Sequence, residues 1–204
     1  MIIGPKYKIC KRLGASVFEK CQTQKFQLAE ARSPRVVSRG KRGGGGDFGA
    51  QLLEKQKARF TYGLSESQFS RYVHEAIEKK GKDSIEGLTS RLESRLDNTV
   101  FRAGFVKTRR AARQLVSHGH VQVNGRRMSI PSHSVSINDT ISIRPESRTS
   151  PLFMNRAEAA SEYKTPAWLT ISADGFEAKI ASLPQVAATE APFDPAVIIQ
   201  FYSR

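Results

Sequence analysis

Two cysteines in 204 residues, Cys10 and Cys21, cannot build a disulfide framework. They are also too few for a structural zinc site, and their spacing is wrong for one, which wants close cysteine pairs. No apolar run approaches the ~20 residues needed to span a bilayer, so no membrane role is expected. No apolar h-region follows the first residues, which argues against a secretory signal. Four histidines, His74, His118, His120 and His133, are scattered along the chain. None stands where a Ser/His/Asp or Cys/His pairing is suggested. The run Gly43 to Gly46 is followed by Asp47, whereas a Walker phosphate loop needs Lys-Ser/Thr. Acid is missing over one long stretch: no Asp or Glu lies between Asp97 and Asp139. No catalytic residue, metal or cofactor is expected.

What the chain has instead is positive charge in blocks. There are 33 Lys/Arg against 19 Asp/Glu, a net of +14, which favours a polyanionic partner. Residues 1–46 hold 11 Lys/Arg against 2 Asp/Glu, and residues 107–148 hold 8 against 2. Residues 157–204 reverse the sign, with 3 against 6. A generic cationic surface would not be divided in this way.

The most informative stretch runs from Thr108 to Met128. Thr108 fits an N-cap and Gly119 a C′ residue, bounding a helix of about ten residues. At 100° per residue Arg109, Arg110, Arg113 and Ser117 share one quadrant, with Ala111, Ala112, Leu115 and Val116 opposite. Val121 and Val123 then alternate with polar residues, and Asn124-Gly125 supplies the φ > 0 pair of a type I′ turn. That turn presents Arg126 and Arg127 beside the arginine quadrant. Guanidinium groups held on a rigid support bind phosphate, because their planar forks pair bidentately with its oxygens. The acid-free sequence leaves nothing local to neutralise them.

This helix and hairpin resemble the RNA-binding module named after small-subunit ribosomal protein number four. Further motifs resemble the same family, in its order: Gly4-Pro5-Lys6, Leu53-Glu54-Lys55-Gln56-Lys57, Tyr62-Gly63-Leu64, Arg95-Leu96-Asp97-Asn98 and Phe201-Tyr202-Ser203-Arg204. The resemblance covers nearly the whole chain. It implies a structural protein of the small ribosomal subunit, a primary binder of its RNA that nucleates assembly, in the cytoplasm of a bacterium or in an organelle. It further implies contact with small-subunit proteins number five and number three, a position beside the messenger RNA entry channel, and an influence on decoding accuracy. Gly-Pro-Lys at residue 4 leaves no room for a transit peptide. Some members carry a four-cysteine zinc cluster near the start; this chain lacks two of those ligands and reads as the metal-free type. Arg39, Lys41 and Arg42 match the arm that lines the messenger channel, although the glycine run departs from the family sequence there.

The residues expected at RNA are Lys107, Thr108, Arg109, Arg110, Arg113, Gln114, Ser117, His118, His120, Asn124, Arg126 and Arg127 from helix and hairpin. Lys6, Lys8, Lys11 and Arg12 join them from the start, Arg39, Lys41 and Arg42 from the glycine-rich stretch, and Lys55 and Lys57 from the middle. Arg95-Leu96-Asp97 is also the tripeptide of the nucleophilic aspartate in pseudouridine synthases. In those enzymes it lies in a separate domain after the module, whereas here it precedes the arginine helix, so Asp97 reads as a pairing or capping residue. The alternative to a ribosomal protein is a non-ribosomal RNA-binding factor of the ribosome-rescue kind, which shares the module.

The expected fold class is α+β: a basic arm over 1–46, a helical domain from 47–91 closed by 184–204, and an α+β domain over 92–183 containing the module at about 92–148. Residues 1–46 are poor in periodic apolar pattern and alone would be largely disordered, an arm expected to order only on its partner. From Phe48 to Lys80 the pattern is helical, with Leu52, Leu53, Gln56 and Phe60 on one side, a Ser65/Gln68 capping box, and a stripe of Phe69, Tyr72, Val73, Ala76 and Ile77. Leu88, Leu92, Leu96, Val100 and Ala103 predict one further helix ending at Gly104. Val135/Ile137 and Ile141/Ile143 predict a strand pair about Asn138-Asp139, and Trp168 to Ala181 two more strands about Asp174-Gly175. Pro184, Pro192 and Pro195 make an irregular crossing before the closing segment Ala196 to Tyr202.

Overall fold

The computed structural model describes residues 4–32, 46–78, 84–153, 165–184 and 191–203. Arg39, Lys41 and Arg42 lie outside them. The chain is α+β and divides into two compact units, residues 1–88 with 187–204, and residues 89–186.

In the first unit, helix α1 (Lys6–Leu13) is followed by a 3-10 turn, Glu19–Gln22, and by α2 (Gln24–Arg32). The expectation of a disordered arm is therefore corrected over residues 4–32. Cys10 and Cys21 are joined by a disulfide. With Phe18 and Phe26 they form a buried cluster against which Ile9, Val17 and Phe60 pack. These residues come from several short elements, so no single period announces them in the sequence. A disulfide uses both thiols, so the cysteines present do not fit the zinc cluster of some relatives, and no metal role follows from them.

Helix α3 (Asp47–Tyr62) ends at Gly63, and α4 (Glu66–Glu78) starts one turn later. Half of the expected capping box forms: Ser65 Oγ accepts from the Gln68 N–H at 3.3 Å. The Gln68 side chain donates to Tyr72 Oη instead of closing the box. The α4 stripe of Phe69, Tyr72, Val73 and Ala76 is buried as expected. On α3 the buried face is Gln51, Lys55, Ala58 and Tyr62, not the Leu52/Leu53/Gln56/Phe60 side. Lys55 holds a core position because its ammonium reaches Glu66 at 2.6 Å and lies over the Phe201 ring, 4.8 Å from its centre. The last helix among the described residues, Pro195–Tyr202, is labelled α9. Asp194 caps it by accepting from the Ala196 N–H at 2.8 Å.

The single helix expected through Leu88 to Ala103 is two. Helix α5 (Ser84–Glu93) stops, and α6 (Leu96–Arg102) begins after a break at Ser94-Arg95. The backbone at the break pairs sideways rather than along a helix. Leu96 N–H donates to His133 O at 2.8 Å, Asp97 N–H to Pro131 O, and Val135 N–H to Ser94 O. Leucine spacing carries across this break because both helices bury the same side, so periodicity alone does not reveal it.

The second unit continues with α7 (Arg109–Ser117), β1 (Val121–Val123), β2 (Arg126–Met128), β3 (Thr140–Ile143), α8 (Pro145–Arg148), β4 (Leu169–Ile171) and β5 (Glu177–Ile180). The strands form one antiparallel sheet in the order β2-β1-β3-β5-β4. Val121, Val123, Ile141, Ile143, Ala178 and Ile180 are buried with Leu96, Val100, Ala112, Leu115 and Val116 of α6 and α7. Each such Leu, Ile or Val contributes about 1.5–3 kcal/mol when fully buried. The strand expected at Val135/Ile137 is corrected: Val135 is buried outside any strand, and Ile137 lies exposed in a turn. Asp139 Oδ2 accepts from Ser136 N–H at 2.7 Å, and Asn138 adopts φ 70°. β3 instead pairs with β1 on one side and β5 on the other.

Candidate nucleic-acid interface

Local chemistry sets both halves of this surface. Thr108 caps α7, its Oγ1 accepting from the Ala111 N–H at 3.0 Å. Ala112, Leu115 and Val116 are buried, which turns Arg110, Gln114, Ser117 and His118 to solvent. The helix ends at Gly119, whose φ of 73° is the left-handed conformation glycine adopts without cost. Asn124 and Gly125 take φ 51° and 76°, the type I′ pair. Gln122 faces Arg127 and Val123 faces Arg126 across the hairpin.

Asn124, expected at RNA, has an internal task. Its Nδ2 donates to Asp139 Oδ1 at 2.8 Å, and its Oδ1 accepts from Thr140 N–H at 2.9 Å, so it fastens the hairpin tip to β3. Arg127 lies back over the end of α7: its Nη2 points at His118 O at 3.5 Å, and a Cβ at Gly119 would collide with its guanidinium. His120 Nδ1 lies 2.9 Å from Ser147 Oγ. His118 and His120 rings sit 6.0 Å apart. No group of three or more potential metal ligands occurs among the described residues.

The arginine quadrant is not without acid, contrary to the expectation that nothing local neutralises it. Arg113 donates to Asp97 Oδ2 through Nε at 2.8 Å and Nη2 at 2.6 Å. Arg109 Nε donates to Asn98 Oδ1 at 2.8 Å, and its Nη2 is 4.0 Å from Glu93 Oε1. Both acids precede the acid-free stretch in sequence but lie beside α7 in space, because the break at Ser94-Arg95 folds α6 against it. Lys107, Arg110, Arg126 and Arg127 are the cations that stand exposed here. In the sequence, Arg95-Leu96-Asp97-Asn98 marks Asp97 as a pairing or capping residue, whereas nothing marks Glu93. Asp97 does pair with neighbours, as expected: with Arg113 and, within its own tripeptide, with Arg95 at 2.8 Å. Two further basic residues near this surface escaped the sequence reading. Arg144 Nη1 reaches Gly119 O, and Arg148 lies over the Phe176 ring.

In the first unit, Lys8, Lys11 and Arg12 are exposed on α1, opposite Cys10 and Leu13. Lys6 is half-buried, its Nζ 5.7 Å from the Phe18 ring centre. Lys55 is buried against Glu66, and Lys57 pairs with Glu54 one turn back, so neither presents a free ammonium. Among the described residues no helix is long and apolar enough to cross a membrane.

Comparison with known proteins completes the site. The Ribosomal protein S4/S9 N-terminal domain matches residues 1–93, and the S4 domain matches residues 94–141, the stretch that holds α7 and the hairpin. Small ribosomal subunit protein uS4 of Roseiflexus castenholzii is 41% identical over 99% of this chain and 98% of its own. That of Persephonella marina is 41% identical over 98% of each. The Corynebacterium kroppenstedtii protein is 47% identical over 76% of each. These relatives are structural proteins rather than enzymes. The chain belongs to the family of small ribosomal subunit protein uS4.

Proposed function

We propose that this protein is a structural constituent of the small ribosomal subunit and a primary binder of that subunit's RNA, nucleating its assembly. The observation that carries the reading is the exposed set of Lys107 just before a capped helix, Arg110 on that helix, and Arg126 and Arg127 on a tight hairpin. Phosphate contacts from these cations, and from Lys8, Lys11 and Arg12 of the first unit, fix the fold of an RNA junction. Specificity then comes mainly from shape, since side chains do not easily enter the deep groove of A-form RNA. The α7 and hairpin cations Arg110, Arg126 and Arg127 are long enough to follow a phosphate backbone from regular supports.

The finer reading follows the family. The protein sits at the messenger entry side, touches small-subunit proteins number five and number three, and influences decoding accuracy. Arg39, Lys41 and Arg42 are the residues that would serve the messenger RNA. The working place is the ribosome, in the cytoplasm. Sedimentation of a tagged copy from its host tests this: co-migration with the small subunit is expected. A free pool, or one with the large subunit, would instead favour a ribosome-rescue factor carrying the same module.

A further inference from the structure

Two buried carboxylates stand directly behind the arginine helix. Asp97 is 4% exposed and Glu93 0%. Asp97 is gripped from two sides. Arg95 donates Nε to Oδ1 at 3.0 Å and Nη2 to Oδ2 at 2.8 Å. Arg113 comes from α7 and donates two N–H groups to the same Oδ2. Glu93 receives Arg102 Nε at 2.8 Å and Asn98 Nδ2 at 2.7 Å. Asn98 passes the restraint on, its Oδ1 accepting from Arg109 Nε at 2.8 Å, while the Arg109 guanidinium lies 4.4 Å over the Phe101 ring.

A guanidinium is planar with five donors in a fixed fork. Fixing Nε together with one Nη, or Nε together with a ring face, sets its plane. The Arg109 and Arg113 side chains are 25% and 33% exposed, so each guanidinium is held by buried acceptors on a side chain that still reaches the surface. The arginine side chain otherwise loses much rotamer freedom on binding.

We propose that Asp97 acting through Arg113, and Glu93 acting through Asn98 and Arg109, are positioning residues for phosphate recognition. They set the two guanidinium planes before RNA arrives. This rests on the reading that the α7 face meets RNA. It makes a prediction opposite in sign to simple electrostatics: deleting an acid beside a polyanion site should tighten binding on charge grounds alone, whereas deleting a positioning acid weakens it.

The experiment measures affinity of the full chain for transcribed full-length small-subunit ribosomal RNA at several salt concentrations. Asp97→Asn should bind about two- to tenfold more weakly, the factor set by newly having to immobilise one rotamer-rich side chain. The slope of log K against log salt should be unchanged, because the number of phosphates neutralised is the same. In an Arg113→Gln background, Asp97→Asn should cause no further loss. A general structural defect would persist there. Because Arg95 also depends on Asp97, Asp97→Asn could fail to fold, and Arg113→Lys then decides. It keeps the charge and removes the fork, and should weaken binding by a similar factor. Tighter or unchanged binding by Asp97→Asn, full affinity in Arg113→Lys, or a loss that persists in Arg113→Gln would each overturn the positioning role. Arg110→Gln, which touches neither acid, separates the two levels: if it too leaves affinity and slope at wild type, the α7 face is not the RNA surface and the proposal falls with that reading.

Discussion

The Tyr202 hydroxyl donates to Glu66 Oε1 at 2.9 Å, across 136 residues of sequence, and so fastens the last helix to the start of α4. Glu66 also receives Lys55 Nζ at 2.6 Å and Arg59 Nη1 at 3.2 Å. Lys55 Nζ in turn lies 4.8 Å from the Phe201 ring centre, a cation–π contact within the same cluster. Burial alone would raise the Glu66 carboxyl. Hydrogen bonds from Lys55 and Tyr202, with the charges of Lys55 and Arg59, outweigh it and hold the group below its ordinary value of 4.5. The Tyr202 phenol moves the other way, pushed up first by burial and then by its bond to the Glu66 carboxylate and the charge there.

A pH dependence of stability follows. Glu66 titrates lower in the folded chain than in the unfolded one, so between those values the unfolded state binds more protons. The stability it contributes is present above 4.5 and is lost as pH falls from there through the folded value. Tyr202 has the opposite sign: its share is present below 10.0, the unfolded value, and is lost as pH rises beyond it. Glu66→Gln should flatten the acid limb of a plot of urea midpoint against pH. Tyr202→Phe should flatten the alkaline limb. Acid limbs of equal steepness in wild type and Glu66→Gln would remove Glu66 from this account.

The same cluster shows where sequence reading stops. The helical period of α3 is legible, but the buried face is one step round from the leucines, because Lys55 goes inward once Glu66, Phe201 and Tyr202 are there to receive it. Nothing local to residue 55 announces partners 11 and about 146 residues away. The Thr108 cap, the Asn124-Gly125 turn, the α7 faces and the Asp174-Gly175 strand pair were all legible, since each depends on neighbours within a few positions. The break at Ser94-Arg95 was not, because it is made by backbone bonds to residues 131–135. That break also brings Glu93 and Asp97 to α7. The carboxylates that hold Arg109 and Arg113 therefore lie outside the acid-free stretch in sequence and beside it only in space.

Gly119 joins fold and surface at one atom position. Its φ of 73° disfavours any side chain, and the space a Cβ would need is taken by the Arg127 guanidinium. Gly119→Ala should cost about 1–2 kcal/mol for the left-handed backbone and should also push Arg127 out of place. Gly125→Ala meets the same backbone cost at φ 76° but nothing within 4 Å. Thermal unfolding should shift similarly in the two variants, while RNA affinity falls further for Gly119→Ala. Equal affinity loss would show that the placement of Arg127 over Gly119 is unimportant for binding.

The start of the chain allows a metal test. Cys10 and Cys21 are both buried and joined to each other. The protein purified without reductant should therefore contain no stoichiometric zinc by elemental analysis. Alkylation of the unfolded chain should label neither cysteine until a reductant is added. Chelator treatment should leave the resistance of residues 4–32 to limited proteolysis unchanged. One zinc per chain, lost together with that resistance on chelation, would mean that the two sulfurs serve a metal instead.

The exposed cations give the most direct measurement. If Arg110, Arg126 and Arg127 each neutralise a phosphate, replacing all three with Gln should flatten the dependence of log K on log salt. Each lost contact should lower the slope by roughly 0.7–0.9, because one condensed counterion fewer is released on binding. The weakening should be largest at low salt, where that release drives association most. Stability should barely change, since these side chains are exposed and surface substitutions typically stay within about 0.5 kcal/mol. Leu115→Ala should do the reverse. Leu115 is 4% exposed in the core shared by α6, α7 and the sheet, and truncating such a leucine costs about 2–5 kcal/mol depending on how far the site collapses. Under conditions where the variant remains folded, its salt slope should match wild type, because the charges are intact. A triple arginine variant that kept the wild-type slope would take the α7–hairpin surface out of RNA binding, and its positive charge would then belong to another polyanionic partner.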